Sequence, residues 1–449
     1  MFNMKSEYAK GSLTLVDAVA MGTGVMIGAG ILALTGQIAQ LAGPLFPLSF
    51  VVGAIVTAFS AYSYIKMSNA FPSAGGVAMI LQKAYGPTAI AGGAALLMAL
   101  SMVISESLVA RTFATYLLRG LDVPPEGWIV PTIGVGVIIF AYFVNISGNR
   151  SVGWISTVMA VLKVGGIALF GIAALWASGF SFAATGSAGP QGSIGGFIAS
   201  VALSILAFKG FTTITNSGAE ITEPNRNVGR AIIISIAICV VVYLLVAFAV
   251  GASLPLNQII ASKDFALAEA AKPALGEVGF YLTVALALVA TVSGVIASIF
   301  AVSRMLAMLT EMKLIPHSHF GMSGGVREHT LIYTVVIAGT LTIFFDLSRI
   351  ASLGAFFYLV MDITIHWGVF RHMKEKVEAK RWILLTAIGL DAVVLVAFGT
   401  LKLKNDPTIV LIAAGIMIAV FGFEYFYLRK TSNNDLGHEH AAHDNKDHD

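Results

Sequence analysis

Apolar runs of about 20 residues, the length needed to cross the hydrocarbon core of a bilayer, recur from one end of this chain to the other. They lie near 13–38, 43–68, 88–118, 128–146, 152–177, 194–217, 228–252, 276–310, 329–346, 349–371, 381–401 and 407–428. Lipid offers no partner to a bare peptide group, so segments of this kind span as helices that satisfy their own backbone. The expectation is an all-α integral membrane protein with 12 transmembrane helices. The composition agrees: 57% of residues are hydrophobic and 11% charged, against about 25% charged in a soluble domain. The first run lacks a small-residue cleavage pattern and leads into glycines, so it reads as a span and not as a signal peptide. With one cysteine, Cys239, in an apolar run, no intrachain disulfide can form.

Orientation follows from the basic residues between the runs, which concentrate on the cytoplasmic side. With the N-terminus inside, 17 Lys and Arg fall on the inner side and 6 on the outer. Both termini are therefore expected in the cytoplasm and the chain in the inner (plasma) membrane. The formal net charge of +3 points to no nucleic-acid partner, and nothing calls for a protein partner. Residues 1–12 read as an N-terminal tail, and 429–449, rich in His and Asp, as a disordered cytoplasmic tail with at most weak metal affinity.

Two of the apolar runs are interrupted. The first contains Gly22-Thr-Gly-Val-Met-Ile-Gly-Ala-Gly-Ile31, four glycines within nine residues, which disfavours a regular helix. No strand precedes it, so it is not a dinucleotide fingerprint. The sixth contains Leu203-Ser-Ile-Leu-Ala-Phe-Lys-Gly-Phe-Thr-Thr-Ile-Thr-Asn216. Broken segments one and six, five spans apart, are what an inverted five-helix repeat produces. Unwound backbone at both places would free N–H groups around Ile27, Gly28, Ala29 and Gly30 to take a carboxylate. It would also free C=O groups at Ala207, Phe208 and Lys209, beside Gly210, to take an ammonium. One zwitterion between two broken helices suits an α-amino acid.

The fifth run carries a lone lysine, Lys163, in Val158-Met-Ala-Val-Leu-Lys-Val-Gly-Gly-Ile-Ala-Leu-Phe170. A charge at that depth marks a pathway, a relay or a site. The Gly-Val-Met-Ile-Gly-Ala stretch resembles the first helix of the APC-superfamily amino-acid permeases, most closely the prokaryotic proton-coupled ApcT type. So does Ile214-Thr-Asn-Ser-Gly-Ala-Glu-Ile-Thr-Glu-Pro-Asn-Arg-Asn-Val-Gly-Arg-Ala-Ile232, and so does Ala266-Leu-Ala-Glu-Ala-Ala-Lys-Pro-Ala-Leu-Gly276. The resemblance covers about residues 10–430. It implies the LeuT fold, with a first repeat over 13–177, a second over 194–371, two further helices over 381–428, and helices 1 and 6 unwound mid-membrane. It implies that Lys163 occupies the place of a sodium ion, with the Gly24 carbonyl and Ser293 as partners. The coupling ion is then a proton, with no sodium and no cofactor. An ammonium donates to the same oxygens a sodium ion would attract, and burial eases release of its proton.

Other charges depart from the resemblance. Glu106 stands in the third run where an apolar residue is expected, and Lys209 where a hydrophobic one is common. The two either pair with each other, since lone buried charges are costly, or Glu106 binds a basic group of the substrate. Asp362 and His366, spaced i, i+4 on one helix face, form a proton relay or a packing lock. Glu220 and Glu223 read as inner-gate or capping residues that pair with Arg226 or Arg230. The leading reading is a proton-coupled symporter importing amino acids by alternating access. A polyamine or amine importer or exchanger built on Glu106 is the second, and a channel or transport-like sensor the third. No nucleophile, zinc spacing or phosphate loop supports an enzyme.

Overall fold

The computed structural model of the chain describes residues 11–73, 75–146, 149–179, 192–312, 314–315 and 325–444. Among these the only β feature is an isolated parallel bridge between Leu13 and Ile221; everything else regular is helical. The chain enters through Thr14, whose side chain and that of Asp17 form a reciprocal capping box at the start of α1 (Leu15–Met26). A π-helical turn over Ile27–Ile31 leads into α2 (Leu32–Ala42). Gly43, at φ +62°, and Pro44 then turn the chain into α3 (Phe46–Ala70). After the short α4 (Gly76–Tyr85) come α5 (Ala89–Gly120), α6 (Ile129–Ile146) and α7 (Asn149–Ala177).

The second half opens with α8 (Ile194–Phe208), a 3₁₀ turn over Lys209–Phe211, and α9 (Thr212–Asn216). It continues through α10 (Pro224–Ser253), the short α11 (Leu256–Ala261) and α12 (Ala266–Glu311). The last of these is broken at Gly276, whose φ of +67° takes it out of the helix. Then follow α13 (Val326–Phe344), α14 (Leu347–Gly368) with a π turn over Val369–Met373, α15 (Arg381–Asn405) and α16 (Pro407–Asp444).

Nine helical segments among the described residues are long and apolar enough to cross a membrane. Three more, Leu15–Met26, Val161–Ala177 and Glu328–Phe344, are apolar but shorter. The chain is a multi-pass membrane protein. The most enclosed helices are α5, α8 with α9, and α14; α15 and α16 turn most of their apolar surface outward, as lipid-facing helices do. α5 packs on α12 and α14, α1 on α10 and α7, and α2 on α8, so the interrupted segments sit at the centre.

Two expectations change here. Neither interrupted helix is unwound: the first widens into a π turn and the sixth tightens into a 3₁₀ turn. Bonds to i−5 or i−3 keep peptide groups paired, which an apolar surrounding demands. At the other end, the backbone of α16 stays helical to Asp444, past the point where a disordered tail was expected; 445–449, like 1–10, lie outside the described residues.

Candidate functional site

The two irregular turns face each other. A methyl group placed on Gly30 would lie 2.5 Å from the Tyr243 hydroxyl and 2.8 Å from both Cβ and O of Ala207. One placed on Gly210 would lie 2.7 Å from Met26 Cγ and 2.8 Å from its amide nitrogen. Only glycine permits this approach, so Gly30 and Gly210 are where the first and sixth segments touch. Tyr243 of α10 stands between them, its hydroxyl 2.6 Å from the Met26 carbonyl and 3.0 Å from that of Ala207. A tyrosine has one proton to give, so it ties one helix or the other at any moment. The Lys209 carbonyl, also expected to stand free at the sixth break, accepts from Thr212 Oγ1 at 2.9 Å.

Lys163 reaches into this region from α7. It is buried, and its ammonium donates to the Gly24 carbonyl at 3.1 Å. A methyl on Gly28 would lie 3.6 Å from the lysine nitrogen and 3.3 Å from the Ala290 carbonyl of α12. The ammonium therefore sits where α1, its π turn and α12 meet. A π turn replaces bonds to i−4 by bonds to i−5, and of the three carbonyls that precede it, those of Gly24 and Met26 each take a side-chain donor. Ser293, also buried on α12, gives its hydroxyl to Ala290 O at 3.1 Å and makes no hydrogen bond to Lys163. Helical geometry offers that hydroxyl an acceptor on its own helix three residues back.

Glu106 and Lys209 are both buried but do not pair. Lys209 donates to the Ser101 carbonyl at 2.6 Å and to the Ser101 hydroxyl at 2.8 Å, more than one turn before Glu106 on α5. Neither oxygen of Glu106 makes a well-formed hydrogen bond among the described residues; the Ser298 hydroxyl is the donor nearest to reaching it, and the Lys209 charge acts on it without pairing. A fully enclosed carboxyl without a donor is rare and costly.

Residues 13–426 match the family described as Amino acid permease. The chain belongs to that family. The permease is 31% identical over 354 residues to an uncharacterised protein of Methanocaldococcus jannaschii, covering 79% of this chain and 81% of that one. It is 27% identical over 402 residues to the inner membrane transport protein YbaT of Escherichia coli (89% and 92% covered). It is 28% identical over 387 residues to the branched-chain amino acid permease BcaP of Lactococcus lactis (80% and 81% covered). An amino acid transporter is thus the supported function, two of these three relatives being named as a transport protein and a permease.

Two further groups of the permease differ from expectation in their partners. Asp362 and His366 lie on α14, fully buried, with Asp362 accepting from Ser60 and Tyr64 of α3, each at 2.6 Å. Their third member is Asp391 of α15, 3.4 Å from His366 Nε2. Sequence reasoning passed over Asp391, although an aspartate midway along an apolar run is itself a signal. It also passed over Tyr243, which nothing in the sequence sets apart from other tyrosines. On the other side, Glu220 pairs with Arg304 of α12 and not with Arg226 or Arg230. Its backbone carbonyl accepts from Leu13 N at 2.9 Å, and Thr222 N returns a bond to Leu13 O at 2.8 Å. The entry to α1 is thereby stitched to the exit from α9. Glu223 caps α10 from a left-handed conformation (φ +47°) without a side-chain bond to it; Arg226, in the first turn of that helix, donates its backbone N–H to the Glu223 carbonyl at 3.0 Å.

Proposed function

We propose that this permease is a proton-coupled symporter that imports amino acids by alternating access, with Lys163 in the place of a sodium ion. The supporting observation is the Lys163 ammonium on the Gly24 carbonyl, at the junction of α1 and α12. Protonated, the lysine ties α1 through α7 to the surrounding helices. Neutral, it no longer has a charge to hold the carbonyl, and the inner part of α1 is released. The LeuT arrangement completes the proposal: 12 crossings, inverted repeats over 13–177 and 194–371, and both termini in the cytoplasm of a cell with this protein in its inner membrane. The substrate lies between the π turn of residues 27–31 and residues 207–210, where α8 runs into the 3₁₀ turn, with α5, α12 and α14 as its walls.

The test is uptake into proteoliposomes under an imposed pH gradient. Wild-type protein accumulates its amino acid when the outside is acidic and does not respond to a sodium gradient. Lys163→Ala is expected to exchange substrate without concentrating it. Accumulation by Lys163→Ala at the wild-type level refutes the coupling role while leaving the family assignment intact.

A second reading of the same site rests on Glu106. An unpartnered buried carboxylate on α5 would select a substrate that carries an extra positive charge, an amine or a basic amino acid. A thermal-shift panel separates the two readings, because a ligand that binds only folded protein raises its melting temperature. Neutral amino acids stabilising the protein more than putrescine-like amines or basic amino acids would remove the second reading.

A further inference from the structure

The buried cluster formed by Asp362 and His366 of α14 with Asp391 of α15 is unused by the transport mechanism above. All three side chains have zero exposure. His366 Nε2 lies 3.5 Å from Asp362 Oδ1 and 3.4 Å from Asp391 Oδ2, and one donor atom from each of the three falls within 4.8 Å of the others. The nitrogen and both oxygens of Asp391 have no hydrogen-bond partner among the described residues. Two carboxyls face one imidazole in an apolar surrounding, so the cluster is balanced either by protons it shares or by a bound cation.

The two distances from His366 Nε2 fit a particular answer. Hydrogen bonds between such groups run at about 2.7–3.2 Å; these separations are longer. Ligand atoms held tetrahedrally at about 2.1 Å from one metal ion stand roughly 3.4 Å apart. The surrounding bonds have the pattern of ligand support. His366 Nδ1 lies 2.8 Å from Ser63 Oγ, which would accept its N–H and leave Nε2 with a free lone pair. Ser60 and Tyr64 donate to Asp362 and fix its plane. A neutral imidazole, two carboxylates and a divalent ion sum to zero charge. Nitrogen and oxygen donors without thiolate suit a borderline first-row cation of the zinc, cobalt or manganese kind.

We propose that Asp362, His366 and Asp391 bind one divalent transition-metal ion that staples α14 to α15 and, through Ser60, Ser63 and Tyr64, holds α3 against both. The site is separate from Lys163, which reaches the Gly24 carbonyl from α7.

The experiment uses the full-length chain carrying no histidine tag, purified in detergent, stripped with chelator and titrated with Co²⁺ and Zn²⁺. The tail histidines 438, 440, 443 and 448 are present in every sample, so the readout is the difference between proteins. Wild type is expected to retain one equivalent of metal more than His366→Gln and Asp391→Asn, to show the visible absorption of tetrahedral Co²⁺, and to melt higher with zinc. The variants lose all three. Ser63→Ala, which keeps every ligand, guards against a variant that fails to fold; its metal affinity should drop 10- to 100-fold, the usual effect of removing an outer partner. Equal stoichiometry and equal zinc response in wild type and all variants overturns the proposal. So does a wild-type melting point that follows pH and ignores metal, because the carboxylates would then be sharing protons.

Discussion

Tyr243→Phe removes a single oxygen from the place where the two irregular helices meet. The ring should stay, because it packs edge-on against Phe50 at 5.6 Å and, tilted, against Phe208 at 4.8 Å. What is lost is the hydroxyl that lies 2.6 Å from the Met26 carbonyl and 3.0 Å from that of Ala207. Leaving a buried acceptor without its donor costs about 1–3 kcal/mol. Interhelical hydrogen bonds in membranes average nearer 0.6 kcal/mol, with a maximum of about 1.7. The expected loss is therefore about 1 kcal/mol, or roughly fivefold in an equilibrium constant. Denaturation in mixed micelles measures it, beside substrate KM in proteoliposomes, where the loosened contact between the π turn and α8 should weaken binding by a similar factor. Tyr243→Ala should cost about 3–5 kcal/mol, since it also empties the ring's place. If the phenylalanine variant keeps wild-type stability and KM, the hydroxyl is not what joins the turns. If it loses as much as the alanine variant, the hydroxyl is not separable from the ring and the reasoning fails.

Gly30→Ala would push a methyl against Tyr243 and Ala207; overpacking of this kind costs about 1–3 kcal/mol, and the variant should melt lower and bind substrate more weakly. Glu106→Gln replaces an enclosed carboxyl whose oxygens make no well-formed hydrogen bond, so the variant should be at least as stable as wild type, while any basic substrate loses at least tenfold in affinity in the same thermal-shift panel. Glu220→Gln breaks the pair with Arg304, whose side chains are partly exposed; the cost in stability stays below about 1 kcal/mol, but labelling of a cysteine introduced on α9 from the Glu220 side should speed up. Arg349, in the first turn of α14, donates to both oxygens of Asp406 on the loop before α16 and holds its carboxyl below the usual carboxylate range. A depressed carboxyl contributes stability that is complete above its unfolded value of about 3.9 and lost as pH falls through the folded one. Melting should therefore be insensitive to this pair near neutral pH and decline below about pH 4, and Asp406→Asn should abolish that acid-side decline.

The apolar runs by themselves determined that this chain lives in a membrane as helices, and each run named from the sequence is helical in the fold. Period and length suffice for that, because lipid leaves a backbone few alternatives. The glycines of residues 22–30 and Gly210 likewise marked where the helices become irregular, since a missing Cβ is visible in the sequence. Lys163 stood out in the sequence for the same reason Asp391 should have: a charge in an apolar run needs a partner, and the fold gives Lys163 the Gly24 carbonyl. The form of the irregularity was decided by tertiary structure. Unwinding was avoided because π and 3₁₀ bonds keep peptide groups paired, and Tyr243 completes the job from a helix that sequence spacing cannot connect to either turn.

Partner choice was also beyond the sequence. Lys209 went to Ser101 instead of Glu106, Glu220 to Arg304 instead of Arg226, and His366 acquired Asp391 from α15. Sequence fixes which groups need a counterpart; the crossing of helices fixes which counterpart is within a few ångströms, and at that range alone does charge or hydrogen bonding discriminate.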